Sequence, residues 1–145
     1  MGCGVAQRPL CSFRRLGMTT QEHRRPRVLV ADDHPDMLLA ICRLLAPDCD
    51  VVGTVSDGCA VLEAVKRLQP DVTVVDLNLG TVSGFEACRQ IRALNPVAKV
   101  VVFTAMNDPS LRERAFDLGA SAFVCKVATD ADLVDAVQCL YEQDE

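Results

Sequence analysis

The sequence predicts an α/β domain: an open parallel sheet, doubly wound, with helices covering both faces. Three observations carry that expectation. Five strand–helix units alternate strictly between Arg27 and Tyr141, and strict alternation joins parallel strands through right-handed crossovers. The first, third and fourth strand segments are apolar on both faces, as central strands of a parallel sheet are. Half of the 145 residues are apolar and 24% are charged, which is the composition of one folded globular domain rather than a disordered chain.

The elements follow in order. RVLVA (27–31) is a β-branched run that ends in Asp32-Asp33. Pro35 suits a first helical turn, and Met37, Leu38, Ile41, Leu44 and Leu45 then share one helical face until Pro47. DVVGTV (50–55) is a second strand, marked as an edge by Gly53 and Thr54. Ser56 can cap a helix carrying Val61, Leu62, Val65 and Leu68, which Gln69-Pro70-Asp71 ends. DVTVVD (71–76) is the third strand. Ala87, Cys88, Ile91 and Leu94 mark a helix over 84–94 that Asn95-Pro96 stops. KVVVFT (99–104) is the fourth strand. Asp108-Pro109 supplies a cap and a first-turn proline for a helix closed by Gly119. AFVCK (122–126) is the fifth strand. Thr129-x-x-Asp132 resembles a capping box, and Leu133, Val134, Val137, Leu140 and Tyr141 mark the last helix.

Charge divides the chain. The net charge of −5 is the sum of +5 over residues 1–27 (six Arg, one Glu) and −10 over residues 28–145 (nine bases, nineteen acids). The acidic part excludes a broad surface for duplex DNA, so no direct nucleic-acid binding is expected. Residues 1–26 lack periodicity and read as a flexible basic tail ahead of a domain over 27–145. Met18 is an alternative start, and an organelle transit peptide is a further reading of an Arg-rich, acid-poor segment. No apolar core fits a secretory signal, and the myristoylation pattern fails at Ala6. No apolar run nears the ~20 residues of a membrane span. The eight cysteines form no C-x-x-C pair, so reduced thiols in a cytoplasmic protein are expected; Cys42, Cys59, Cys88, Cys125 and Cys139 fall in helix or strand patterns, as small buried hydrophobes would.

Open α/β sheets bind ligands beyond the carboxyl ends of their strands. Those ends here carry Asp32-Asp33, Asp76, Thr104 and Lys126. No G-x-G-x-x-G follows the first strand and no P-loop is present, so neither nucleotide motif applies. Three clustered carboxylates repel one another and want a hard divalent cation, Mg²⁺ or in its place Mn²⁺. Lys126 can pair with Asp76 at rest and with an arriving phosphoryl oxygen later. A carboxylate so placed can act as nucleophile and form an aspartyl-phosphate. Singly, each acid reads equally as a loop residue or helix cap, Thr104 as a strand-end hydroxyl, and Lys126 as a solvated charge. His34 reads as a helix-entry residue beside the crevice rather than a catalyst.

The segments VLVADDHP, VVDLNLGTVSGFE, VVFTA and GASAFVCK, in this order and spacing, resemble the response-regulator receiver domains of two-component signalling, the CheY-like superfamily. The Asp-Asp-His-Pro opening and the GASAFVCK ending look closest to receivers of LuxR-type regulators. The resemblance implies a flavodoxin-like (βα)5 sheet of strand order 2-1-3-4-5. It implies that Asp76 accepts a phosphoryl group from a sensor histidine kinase or phosphotransfer protein. Asp33, Asp76 and the backbone carbonyl of Asn78 would hold the metal, with Asp32 acting through water. Lys126 would contact the phosphoryl group, Thr104 would move towards it, and Phe123 would turn inward, while Ala105 leaves the approach open. A surface on the fourth helix, fifth strand and fifth helix, with Leu111, Phe116, Phe123 and Tyr141, would change with it; core packing is the plainer role for most of these four.

Three departures from the family pattern stand out. Gly80 replaces a frequent proline, which predicts a more flexible loop over Gly80–Gly84. Val127 follows Lys126 where the family often has a cis-proline, leaving that bond's isomer a structural question. Met106 stands where many relatives carry a polar group; a thioether orients water poorly, so slow self-dephosphorylation is expected. Enzymes that pass aspartyl-phosphate to or from outside substrates usually carry a second acid two residues after the nucleophile, and Asn78 there argues against that alternative. A receiver that binds partners without being phosphorylated is the other. The output is expected through a downstream protein partner, the stand-alone reading being favoured, or through a DNA-binding domain beyond this chain; pairing of two copies is left open.

Overall fold

The computed structural model describes residues 25–80, 82–126 and 130–143. The tail with its Met18 start, Thr81, the Lys126–Val127 bond and the Thr129 capping box therefore lie outside the described residues, wholly or in part. The order is β1 (Arg27–Ala31), α1 (Pro35–Leu45), β2 (Asp50–Val55), α2 (Gly58–Leu68), β3 (Val72–Val75), α3 (Gly84–Leu94), β4 (Lys99–Thr104), α4 (Pro109–Asp117), β5 (Ala122–Cys125) and α5 (Asp130–Gln143). The strands form one parallel sheet of order β2-β1-β3-β4-β5. The apolar strands are central and the Gly53 strand is an edge, as the sequence predicts.

Two cores flank the sheet. Leu29, Ala31, Val75, Val100 and Val102 pack with α2, α3 and α4 through Val61, Val65, Cys88, Ile91 and Ala115. Val28, Val30, Val72, Val74 and Val101 pack with α1 and α5 through Ile41, Leu45, Leu133 and Val137. Alternate residues of each strand thus serve opposite faces. Each fully buried leucine, such as Leu29, Leu45 or Leu133, contributes roughly 1.5–3 kcal/mol of burial. Gly53 sits where the β1–β2 register shifts; a Cβ there would stand 2.7 Å from Leu68 Cδ1, so the bare backbone makes room for α2.

Several local details differ from expectation. The cap of α2 is Asp57 rather than Ser56: its carboxylate accepts from the Cys59 N–H at 2.8 Å, and the helix starts one residue later. β3 and β5 stop one residue short at the ends where Asp71, Asp76 and Lys126 turn to other bonds. Cys59 is exposed, and among the expected cysteines only Cys88 is fully buried; Cys49, from outside the predicted elements, is buried with it. Burial pushes both the Cys49 and Cys88 thiols up to about 12, which keeps them as neutral core groups. Arg25 and Pro26, at the end of the segment read as a tail, already engage the fold. Arg25 donates to the Ala46 and Cys49 carbonyls, the latter at 2.8 Å, and Pro26 accepts from the Asp50 N–H.

Candidate functional site

The sheet ladder itself sets the site. Beyond the strand ends, Asp32 N–H donates to Val55 O (3.1 Å), Asp76 N–H to Ala31 O (3.0 Å) and Lys126 N–H to Thr104 O (2.7 Å). These bonds pin the backbone of each site residue before its side chain is considered.

Asp32 is fully buried, Asp76 is 4% exposed and Thr104 is buried. Lys126 Nζ donates to both acids, at 2.7 Å to Asp32 Oδ2 and 3.0 Å to Asp76 Oδ2. The resting partner expected from sequence was Asp76 alone; Lys126 bridges two strand ends, and its ammonium also lies 5.8 Å from the Phe103 ring centre. Burial raises the Asp76 pKa, against the opposing pull of Lys126 and of the Asn78 backbone N–H. For Lys126 the burial that disfavours its charge is outweighed by the two carboxylates, and its pKa is raised. The nearby Asp32 carboxylate adds to the rise at Asp76, since one ammonium serves both acids.

Asp32, Asp33, His34 and Asp76 each bring one ligand atom to a set within 4.8 Å of one another. Asp76 Oδ1 is buried without a hydrogen-bond partner among the described residues, and the buried Asp33 Oδ1 faces only the His34 ring. Orphaned buried carboxylate oxygens are costly, and hard oxygen donors at this spacing fit Mg²⁺. His34 stands at the entry of α1 beside the cleft, as its sequence position predicts. It caps α1 by position without a side-chain cap bond, and its Nδ1 lies 2.9 Å from Asp33 Oδ1 and 3.3 Å from Asp32 Oδ1.

Asn78 is exposed on the loop after β3, between the buried Leu77 and Leu79. Two backbone bonds anchor the loop at its ends: Gly58 N–H donates to Leu79 O (2.7 Å) and Gly84 N–H to Leu77 O (2.9 Å). Gly80 has φ +75°, which proline, fixed near −65°, cannot adopt. A Cβ on Gly84 would stand 2.3 Å from the Asp76 carbonyl oxygen. Thr104 Oγ1 accepts from the Met106 N–H at 3.3 Å. Ala105 is exposed beside it. Phe123 is half-buried against the α2–α4 core and lines a groove of about 540 Å³ between α4 and α5, with Arg112 and Phe116. Leu111 is half-buried in the same core, and Tyr141 is half-buried on α5.

An open parallel sheet whose carboxylate-lined end is bridged by a lysine just after the last strand is the architecture of a signalling receiver. Residues 28–138 match the response regulator receiver domain, and the chain belongs to that family. It is 30% identical over 122 residues to the probable transcriptional regulatory protein NarL of Mycobacterium tuberculosis (strain ATCC 25618 / H37Rv), covering 83% of this chain and 56% of that protein. It is 34% identical over 118 residues to the response regulator GacA of Pseudomonas viridiflava, covering 79% and 55%. The chain thus spans just over half the length of these curated relatives. Its fold is similar to a LuxR-family two-component response regulator from Aurantimonas sp. SI85-9A1, with TM-score 0.79, 30% identity, and 83% and 87% of the two chains covered. Among the described residues, no helix is long and apolar enough to cross a membrane.

Proposed function

We propose that this receiver is a phosphorylation switch in which Asp76 takes a phosphoryl group from the phosphohistidine of a sensor kinase or phosphotransfer protein. The observation that supports this best is the state of the Asp76 carboxylate: Oδ2 is held by Lys126, while Oδ1 is buried and has no hydrogen-bond partner among the described residues. Oδ1 is the free nucleophile. It bonds to phosphorus as the P–N bond breaks, and the electron pair leaves with the donor imidazole nitrogen. Asp33, Asp76 and the Asn78 carbonyl would hold Mg²⁺, with Asp32 acting through water. Bound there, Mg²⁺ supplies charge neutralisation for the transferring group.

The chain's own groups do the rest. Lys126 trades a carboxylate for a phosphoryl oxygen and keeps its charge compensated. Thr104 ceases to accept from Met106 N–H and donates its hydroxyl to the phosphoryl group. Phe123 turns into the space so released, and the α4–β5–α5 surface changes shape: a local charge event biases a two-state element. The switch speaks to a partner protein or to a DNA-binding output domain, and it acts on no outside substrate.

The test is intact mass after incubation with Mg²⁺ and a small phosphodonor such as acetyl phosphate. One added phosphoryl group, lost in Asp76→Asn, is the expected result. No adduct would point to partner binding without phosphorylation. Continuous phosphate release from outside esters would point to an enzyme.

A further inference from the structure

We propose that a cavity at the amino end of the sheet, between the last turns of α2 and α3, binds a small carboxylate with an apolar body. The cavity lies at the opposite end of the strands from Asp76, and none of its lining residues belongs to the acidic cleft. It holds about 380 Å³, within the range of small-ligand sites. Val65 and Ile91, both buried, wall it on the inside. Leu94 and Val97, 44% and 72% exposed, stand at its mouth.

The polar group at its floor is the Thr73 hydroxyl. Val72 and Val74 face the α1–α5 core, so Thr73 faces α2 and α3, between Leu29 and Val100 of the neighbouring strands. Thr73 is 3% exposed and lines the cavity, and its hydroxyl has no hydrogen-bond partner among the described residues. A buried hydroxyl left in that state costs stability and is free to donate to a ligand oxygen. The other polar groups also donate. Asn95 Oδ1 accepts the Val97 N–H at 3.2 Å, which leaves the Asn95 amide NH₂ to give. Lys66 and Lys99 line the cavity against one acid, Asp71, whose Oδ2 already accepts the Arg27 N–H. The negative ends of α2 and α3 point here, but they are covered: Gln69 donates to Val65 O and Lys66 O, Asn95 N–H donates to Ile91 O, and Arg67 and Arg92 stand in the last turns. Surplus donors and one surplus positive charge beside apolar walls call for acceptor oxygens that carry one negative charge on an apolar body. A water-filled crevice is the competing role, and it selects neither the charge nor the apolar body.

Residue-resolved amide NMR of the full chain, titrated at fixed ionic strength, distinguishes the two. Benzoate is the probe and benzamide, of similar shape and no charge, is the control. Benzoate should shift the amides of Thr73, Asn95 and Val97 saturably, and benzamide should bind at least about threefold more weakly. Thr73→Val keeps the side-chain shape and removes only the unpartnered hydroxyl, so the fold survives it. That variant and Lys66→Gln should each weaken benzoate binding by about threefold or more. The absence of saturable shifts at these amides would overturn the proposal, as would equal affinity for the two probes or unchanged affinity in both variants. Shifts at Leu94 and Val97 that grow with protein concentration and block benzoate would also overturn it, by showing that a second copy covers the mouth.

Discussion

The two ends of the sheet use the same residue types to opposite effect. At the amino end, Asp71, Arg27, Arg25 and Asp50 each find a partner. Asp71 Oδ2 accepts the Arg27 N–H at 2.8 Å, Arg27 donates to Gln69 O at 2.7 Å, and Arg25 pairs with Asp50 at 3.3 Å on the exposed surface. At the carboxyl end, buried Asp32 and Asp76 share one lysine, and Asp76 keeps an oxygen without a hydrogen-bond partner among the described residues. The identity of a charged residue says little; how completely it is satisfied separates scaffold from site. Under-satisfied buried groups are retained at a cost in stability, which points to use.

The comparison breaks most sharply at Asp76. Asp76→Asn should abolish the phosphoryl adduct and leave the metal-free protein at least as stable at neutral pH. The sign follows from the raised pKa: such a group favours folding below its ordinary 3.8 and opposes it as pH rises through the folded value. Lys126 keeps Asp32 in the variant. Denaturant melts with chelator should therefore show the variant's advantage at neutral pH and its disappearance in acid.

Close backbone approach is the second test. Gly84→Ala forces a Cβ against the Asp76 carbonyl and should cost about 1–3 kcal/mol in chemical denaturation, whereas a surface glycine would tolerate it. Gly80→Pro should be destabilising too, because φ +75° is closed to proline.

The third concerns Met106, 40% exposed beside the site. Met106→Asn or Met106→Glu should shorten the aspartyl-phosphate lifetime by on the order of tenfold, since a polar group there can orient the attacking water. An unchanged or longer lifetime, followed by intact mass over time, would contradict this. The smallest effect belongs to the amino end: Asp71→Ala loses the bond to Arg27 and should cost about 1 kcal/mol in a denaturant melt, with phosphorylation unaltered.

Much of this was legible in the residues. Strand ends could be read because β-branched runs stop where charged or hydroxyl residues begin, and helix faces because Ile41 and Leu45, or Cys88 and Ile91, recur at helical spacing. What depended on distant partners could not. Lys126 reaches Asp32 across 94 positions. The need for glycine at 58 and 84 arises only where the β3–α3 loop folds back on α2 and on Asp76. The bond from Gly58 N–H to Leu79 O, which joins the start of α2 to the loop after Asp76, likewise has no local signature. His34 read as a helix entry because nothing local reveals that its ring turns towards two acids.

The central claim, that the incompletely satisfied Asp76 is the chemical site, is tested most directly by locating the adduct. Protein treated with Mg²⁺ and acetyl phosphate, reduced with borohydride to convert an acyl phosphate to an alcohol, and mapped by peptide mass should carry the change at Asp76 alone. Modification at Asp32 or Asp33, or at no aspartate, would contradict the account.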